Sequence, residues 1–350
     1  MPNPNELAPL TVTPGALRFN TDSMKLEYYR GGPVGFGTTT QTGEWVNLTT
    51  DSPDIQTGGA RGVIGGGQGV PGSNTIEYVT ISTTGNSIDF GDLTAGRRWS
   101  SACASSTRGL WGGGETGPSN VLDYVTISST GNATSFGSLS VARGQPGACS
   151  SSTRGVFAGG NTPAATNTID YITIASTGNA VNFGSLTSAS GYANGLSSST
   201  RGIFSLGITP SAPNGSNVVE FITIATTGNS ADFGDLSVTK FASGSCSNSI
   251  RGVFGGAYNP ATINVIDFIT ISTLGNATDF GDLTVARGGL AASSSSTRGV
   301  FGGGVVTPTA NNTIDYITIM STGNAIDFGD FVGGARAYIG ACSNGHGGLG

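Results

Sequence analysis

Histidine is nearly missing from this chain: there is one in 350 residues, His346. Nucleophile chemistry of the Ser-His-Asp or Cys-His kind therefore has almost no base to draw on. Charge is scarce as well. Fifteen Lys and Arg stand against 21 Asp and Glu, 10% of the chain in all, for a net −6. A nucleic-acid-binding surface needs basic clusters, so that class is excluded. Long apolar runs are absent, and nothing approaches the ~20 residues of a membrane-spanning helix. The start, Met1-Pro-Asn-Pro-Asn5, has neither the charged nor the apolar region of a secretory signal. Export would need another route, such as release within a particle on lysis. No stretch shows sustained helical periodicity, which leaves the chain all-β. Only four cysteines occur, Cys103, Cys149, Cys246 and Cys342. They recur in one register instead of converging with ligand spacing, so no metal site is implied. They read as small buried residues with free thiols.

Glycine, by contrast, is abundant at 59 residues, without a collagen-like period. The reason is an internal repeat. An Arg-Gly pair marks six copies, at Arg61, Arg108, Arg154, Arg201, Arg251 and Arg298. The clearest copy is Ser152–Leu186. Each copy continues with an apolar pair, glycines, a variable stretch, then a carboxylate followed by an aromatic, as in Asp170-Tyr171. A Gly-Asn turn and a closing Phe-Gly (Phe90, Phe136, Phe183, Phe233, Phe280, Phe328) complete it.

Each copy reads as four strands, here Gly147–Ser151, Arg154–Gly160, Thr168–Ala175 and Ala180–Leu186. The runs are short, β-branched or aromatic, and bounded by Gly, Asn, Ser and Pro. The Gly-Asn turn suits a tight hairpin between the third and fourth strands. The third strand is apolar on both faces, so its sheet is expected to be covered on both sides. Four-stranded units of about 40–50 residues describe a β-propeller, and six copies describe six blades. The first copy lacks a first strand, while Ala337–Ser343 near the end matches one. The C-terminal strand is therefore expected to join the first blade and close the ring, removing two open edges. The domains expected are an N-terminal β segment, 1–57, and the propeller, 58–350. The glycines after the second strand, the aromatic in the third and the basic residue after the fourth resemble kelch repeats. Phe stands where kelch repeats usually have Trp.

In front of the ring, Pro14–Tyr29 reads as a hairpin about Thr21-Asp-Ser23, with Gly43–Leu48 as a further strand. Gly15-x-Leu17-Arg18-Phe19-Asn20-Thr21, Glu27-Tyr28-Tyr29 and Trp45-Val46 resemble a motif near the N-termini of phage tail-fibre and other virion proteins, with Arg30–Thr42 inserted. That resemblance implies a virion location and docking to other virion proteins through Leu17, Phe19, Leu26, Tyr28, Tyr29 and Trp45. It also implies homo-oligomers, trimers favoured. The plain alternative is a small β-element packed on the ring.

A second candidate set comprises Arg97, Arg98, Arg143, Lys240, Arg287 and Arg336. They follow the fourth strands, close to the axis, where they could ring the channel mouth and bind anionic sugars or a partner's carboxylates. The competing expectation is pairing with carboxylates at the end of the fourth strand or on the third. The repeated third-strand acids invite a glycosidase reading, but a position filled six times is usually framework, expected here to accept backbone N–H groups from the loop between the second and third strands. His346 reads as a solvated tail residue. The loops between second and third strands differ most between copies, which is where binding specificity usually resides. The expectation is a non-enzymatic virion component of a tailed phage (tail fibre, decoration or adhesion), with no cofactor and no metal, and with host-surface glycan as a candidate partner. A secreted or surface glycan-binding propeller is the alternative, and a glycan-cleaving enzyme the third reading.

Overall fold

A computed structural model describes residues 17–20, 25–31, 43–47, 60–68, 72–115 and 117–349. The chain divides into two compact units, 1–52 and 53–350. In the first, strands Leu17–Asn20, Lys25–Gly31 and Gly43–Asn47 form an antiparallel sheet. Leu17 pairs with Tyr28, Phe19 with Leu26, and Tyr29 with Trp45. Leu17 is exposed and Tyr29 is buried. The side chains of Phe19, Leu26, Tyr28 and Trp45 lie outside the described residues.

The second unit is a six-bladed propeller, as kelch-like repeats would build. In blade 3 the strands run Gly147–Ser150, Arg154–Ala158, Thr168–Thr173 and Val181–Ser185, from axis to rim. The other blades repeat that order. Blade 1 takes its innermost strand, Gly340–Ser343, from the far end of the chain, pairing Cys342 with Val63. The ring is closed by hydrogen bonds, as its register implied.

The repeated words are the joints between blades. Arg154 lays its guanidinium 4.7 Å from the Tyr171 ring of its own blade and donates to the Ile224 carbonyl of the next blade. All six Arg-Gly arginines make the equivalent pair of contacts, and Arg298 reaches Ile81 across the closure. The following glycine is dictated by packing: a Cβ on Gly155 would lie 2.7 Å from the Cys103 sulfur of the preceding blade. Burial pushes the Cys246 and Cys342 thiols up to about 12 and raises those of Cys103 and Cys149 as well. All four are free and buried.

Phe-Gly and Gly-Asn belong to a second joint. In every blade the register shifts beside the closing Phe. This β-bulge leaves Phe183 unpaired, and its ring is buried among Val156, Phe204 and Ile222 of two blades. Burying such a ring contributes roughly 1.5–3 kcal/mol. Gly228 of the next blade donates its N–H to the Phe183 carbonyl, and Asn229 accepts from Ser185 N at 3.0 Å. The Gly-Asn segment is thus no tight hairpin. Residues 174–180 separate the third and fourth strands of blade 3, and they reach across to the neighbouring blade.

Serines bridge the innermost strands. Ser150, Ser197, Ser247, Ser294 and Ser343 each donate a hydroxyl to the preceding blade's carbonyl, at 2.5–2.8 Å. Blade 2 has Ala104 at this position. The His346 ring lies beside it: its Nε2 donates to the Ala104 carbonyl at 2.8 Å, which also accepts from Ser150, and its Nδ1 accepts from Gly348 N at 3.1 Å. It is no solvated tail residue. A turn of 3-10 helix, Gly347–Leu349, with Gly347 and Gly348 buried, plugs that end of the channel.

Candidate ligand-binding face

The loops leaving each fourth strand and those joining second to third strands emerge together. Isolated bridges tie each to the other around the ring: Arg98 to Glu115, Gly144 to Asn161, Gly191 to Ile208, Phe241 to Tyr258, Gly288 to Val305 and Asn311 to Arg336. This is the face on which the six cations were expected to ring the channel mouth. Five do not. Arg97, Arg143, Lys240, Arg287 and Arg336 are buried and paired with the third-strand carboxylates of Asp123, Asp170, Asp267, Asp315 and Glu77. Arg143 meets Asp170 at 2.9 Å and also donates to the Phe157 and Thr168 carbonyls. Burial lowers the pKa of these cations, and for Arg97, Arg143, Lys240 and Arg287 the neighbouring carboxylate opposes that shift. A side chain held this way is not presented to a ligand. The carboxylates accept from the loop after the fourth strand, Ser140 and Arg143 in the case of Asp170, and not from the loop originally expected.

Arg98 is the exception. It is partly exposed and makes no ion pair among the described residues. Beside it lies a group that register reasoning missed. One position per blade, two residues after Arg97 and its counterparts, takes a left-handed backbone: Trp99, Gln145, Tyr192, Ala242, Gly289 and Tyr338, with φ between 55° and 68°. Glycine meets that conformation freely; the larger residues do so under strain. Trp99 stacks on Tyr338 at 4.1 Å and meets Tyr192 edge-on at 4.9 Å. Tyr192 contacts Phe241, and Phe241 stacks on Tyr258. The Tyr258 and Tyr338 hydroxyls, 3.5 Å apart, complete a circuit of five half-buried rings. Burial raises the Tyr192 and Tyr258 pKa values. A polar chain flanks the circuit: Gln145 donates to Glu115 at 2.9 Å, and Asn161 donates to Gln145. Beneath Trp99, Tyr192 and Tyr338 the channel narrows to a cavity of about 50 Å³. The signal in the sequence was Trp99, Tyr192 and Tyr338 recurring at one register.

Among the described residues, no three His, Cys, Asp or Glu side chains converge as metal ligands. The architecture defines the class, a closed six-bladed propeller with one aromatic-rich face. No protein-family model matches the sequence, and no curated protein is significantly similar to it.

Proposed function

We propose that this chain is a non-enzymatic structural protein of a tailed-phage virion, a tail-fibre, decoration or adhesion component. In this reading the N-terminal sheet docks to the particle, and the propeller displays the face bearing the aromatic circuit. The particle assignment rests on the motif from Gly15 to Val46, whose strands pair as a three-stranded sheet. The non-catalytic assignment is supported by how the ring spends its reactive groups. The repeated acids hold blades together, the one histidine is half-buried and hydrogen-bonded to the Ala104 carbonyl, and the thiols are packed against glycines. The single observation that carries the display reading is this contrast. The framework repeats around the wheel, while unlike side chains collect on one face.

The test is mass spectrometry of purified particles, with tagged-chain imaging to locate the copy. The protein is expected in particles at fixed stoichiometry, and a chain lacking residues 1–52 is expected to be lost from them. Recovery of the intact protein only in the soluble fraction overturns the proposal. A second reading, a glycan-binding propeller outside any particle, is favoured by the aromatic circuit and is separated by the same fractionation.

A further inference from the structure

Blade 4 breaks the repeat. Ser190 stands where the other junctions carry Arg97, Arg143, Lys240, Arg287 and Arg336. Its acid, Glu220, is fully buried and has no cation; Thr187 and Ser230 hydrogen-bond it instead. Leu206 replaces a glycine that takes φ between 60° and 77° in the other five blades. The loop beyond it therefore follows another path. Beside these changes opens a pocket of about 200 Å³, larger than any of the cavities along the channel.

The walls of this pocket depart from the repeat in one chemical direction. Ser188 occupies the place of Val141, Val238 and Val285, and Thr239 that of Ala142, Ala189 and Ala286. Neither hydroxyl has a hydrogen-bond partner among the described residues. Thr209 and Ser211, from the rerouted loop, add two more hydroxyls 3.2 Å apart. Leu206 and Val218 supply an aliphatic wall. No lining residue carries a charge. Tyr192 and Phe241, in edge contact at 5.4 Å, lie just beyond Ser188 and Thr239, the latter at the end of strand Ala231–Lys240.

We infer that this pocket is a binding site for one neutral sugar residue of a surface glycan. A sugar ring offers a C–H face to aliphatic or aromatic groups and a rim of hydroxyls that both donate and accept. Unpartnered serine and threonine hydroxyls match the rim because they do the same. The lack of any lining cation disfavours phosphate or sulfate, which are held by Arg, Lys or helix N-termini. An aliphatic ligand would leave the hydroxyls unpaired and desolvated. The inference deepens the display reading, on which it rests only for the direction the face points.

The test uses the full chain on an array of printed neutral and acidic oligosaccharides, followed by titration of the best neutral hit. The paired variant Ser188→Val, Thr239→Ala writes the repeat's own residues into the pocket, so its melting temperature should match the parent's. Binding is expected to weaken by roughly tenfold or more, as loss of paired hydroxyl contacts implies. A control, Val285→Ser in the next junction but one, should leave binding unchanged. No retained glycan, retention of acidic glycans alone, or full binding by the paired variant overturns the inference. Glycan binding by a protein absent from particles would sink the virion proposal and leave this one standing; particle incorporation without glycan binding would do the reverse.

Discussion

Asp170 and Glu220 occupy the same repeat position with different surroundings, and that difference is measurable. Asp170→Asn leaves Arg143 buried without its counter-charge, which costs about 3–5 kcal/mol. Glu220→Gln orphans no cation and should cost about 1–2 kcal/mol, the scale of a disturbed buried hydrogen bond. Denaturant unfolding of the two variants checks this, and equal losses would refute the account of blade 4. His346 gives a pH signature. Burial holds its imidazole below the ordinary value of 6.5, against the opposing influence of the Ala104 carbonyl. Its Nδ1 accepts a hydrogen bond, so protonation there removes an acceptor and charges a half-buried ring. The stability it contributes is therefore full above about pH 6.5 and is lost as pH falls below that toward the folded-state pKa. The stability-versus-pH slope between about pH 6.5 and 5 should be shallower in His346→Gln than in the parent.

Strands and joints form the next scale. Gly155→Ala places a methyl against the Cys103 sulfur and close to Ile172. Overpacking of this kind costs about 1–3 kcal/mol. Adding Cys103→Ala should recover part of the loss, measurable as a coupling in thermal melts. No recovery would mean that Ile172, and not the blade-to-blade contact, sets the need for glycine. At this scale much was legible beforehand. In blade 3 the four strands fall within two residues of their expected ends, because Arg-Gly, Asp-Tyr and Phe-Gly recur with turn residues between them; in blades 4 and 5 some run longer, as in Ala231–Lys240 and Arg251–Asn259. What the repeat could not show was which copies of a motif touch. Gly228-Asn229 looked like a local turn because its partners, Phe183 and Ser185, belong to another blade. The register of the cations allows either a ring around the mouth or pairing with carboxylates, and five pair with the third-strand acids; a sequence gives register and not the direction of a side chain. The aromatic circuit and the blade 4 pocket were harder still. They arise where copies differ, and Ser188, Ser190, Leu206 and Thr239 gain meaning only once the segments bearing them are brought together.

For the whole molecule, closure is the governing fact. Deleting residues 340–350 removes the innermost strand of blade 1, exposes the Arg61–Gly65 edge and withdraws the channel plug. The shortened chain is expected to melt at markedly lower temperature and over a broader range than the parent, by calorimetry. Deleting only 345–350 should cost less and should abolish the acid sensitivity assigned to His346. Unchanged melting in the longer deletion would refute the closed ring. The resemblance to kelch repeats anticipated this architecture; the proposals on particle and ligand rest instead on the N-terminal motif and on positions where the copies differ.

One further consequence follows from the way blade 1 is assembled from Arg61–Asp92 and Gly340–Ser343. A ribosome makes the first three of its strands early and the fourth after every other described strand. Until then the nascent polypeptide carries an unpartnered sheet margin that neighbouring polysomes could capture. Slow translation or crowding should therefore favour tangles between molecules, and a chaperone that shields this margin until release would raise the yield of finished wheels.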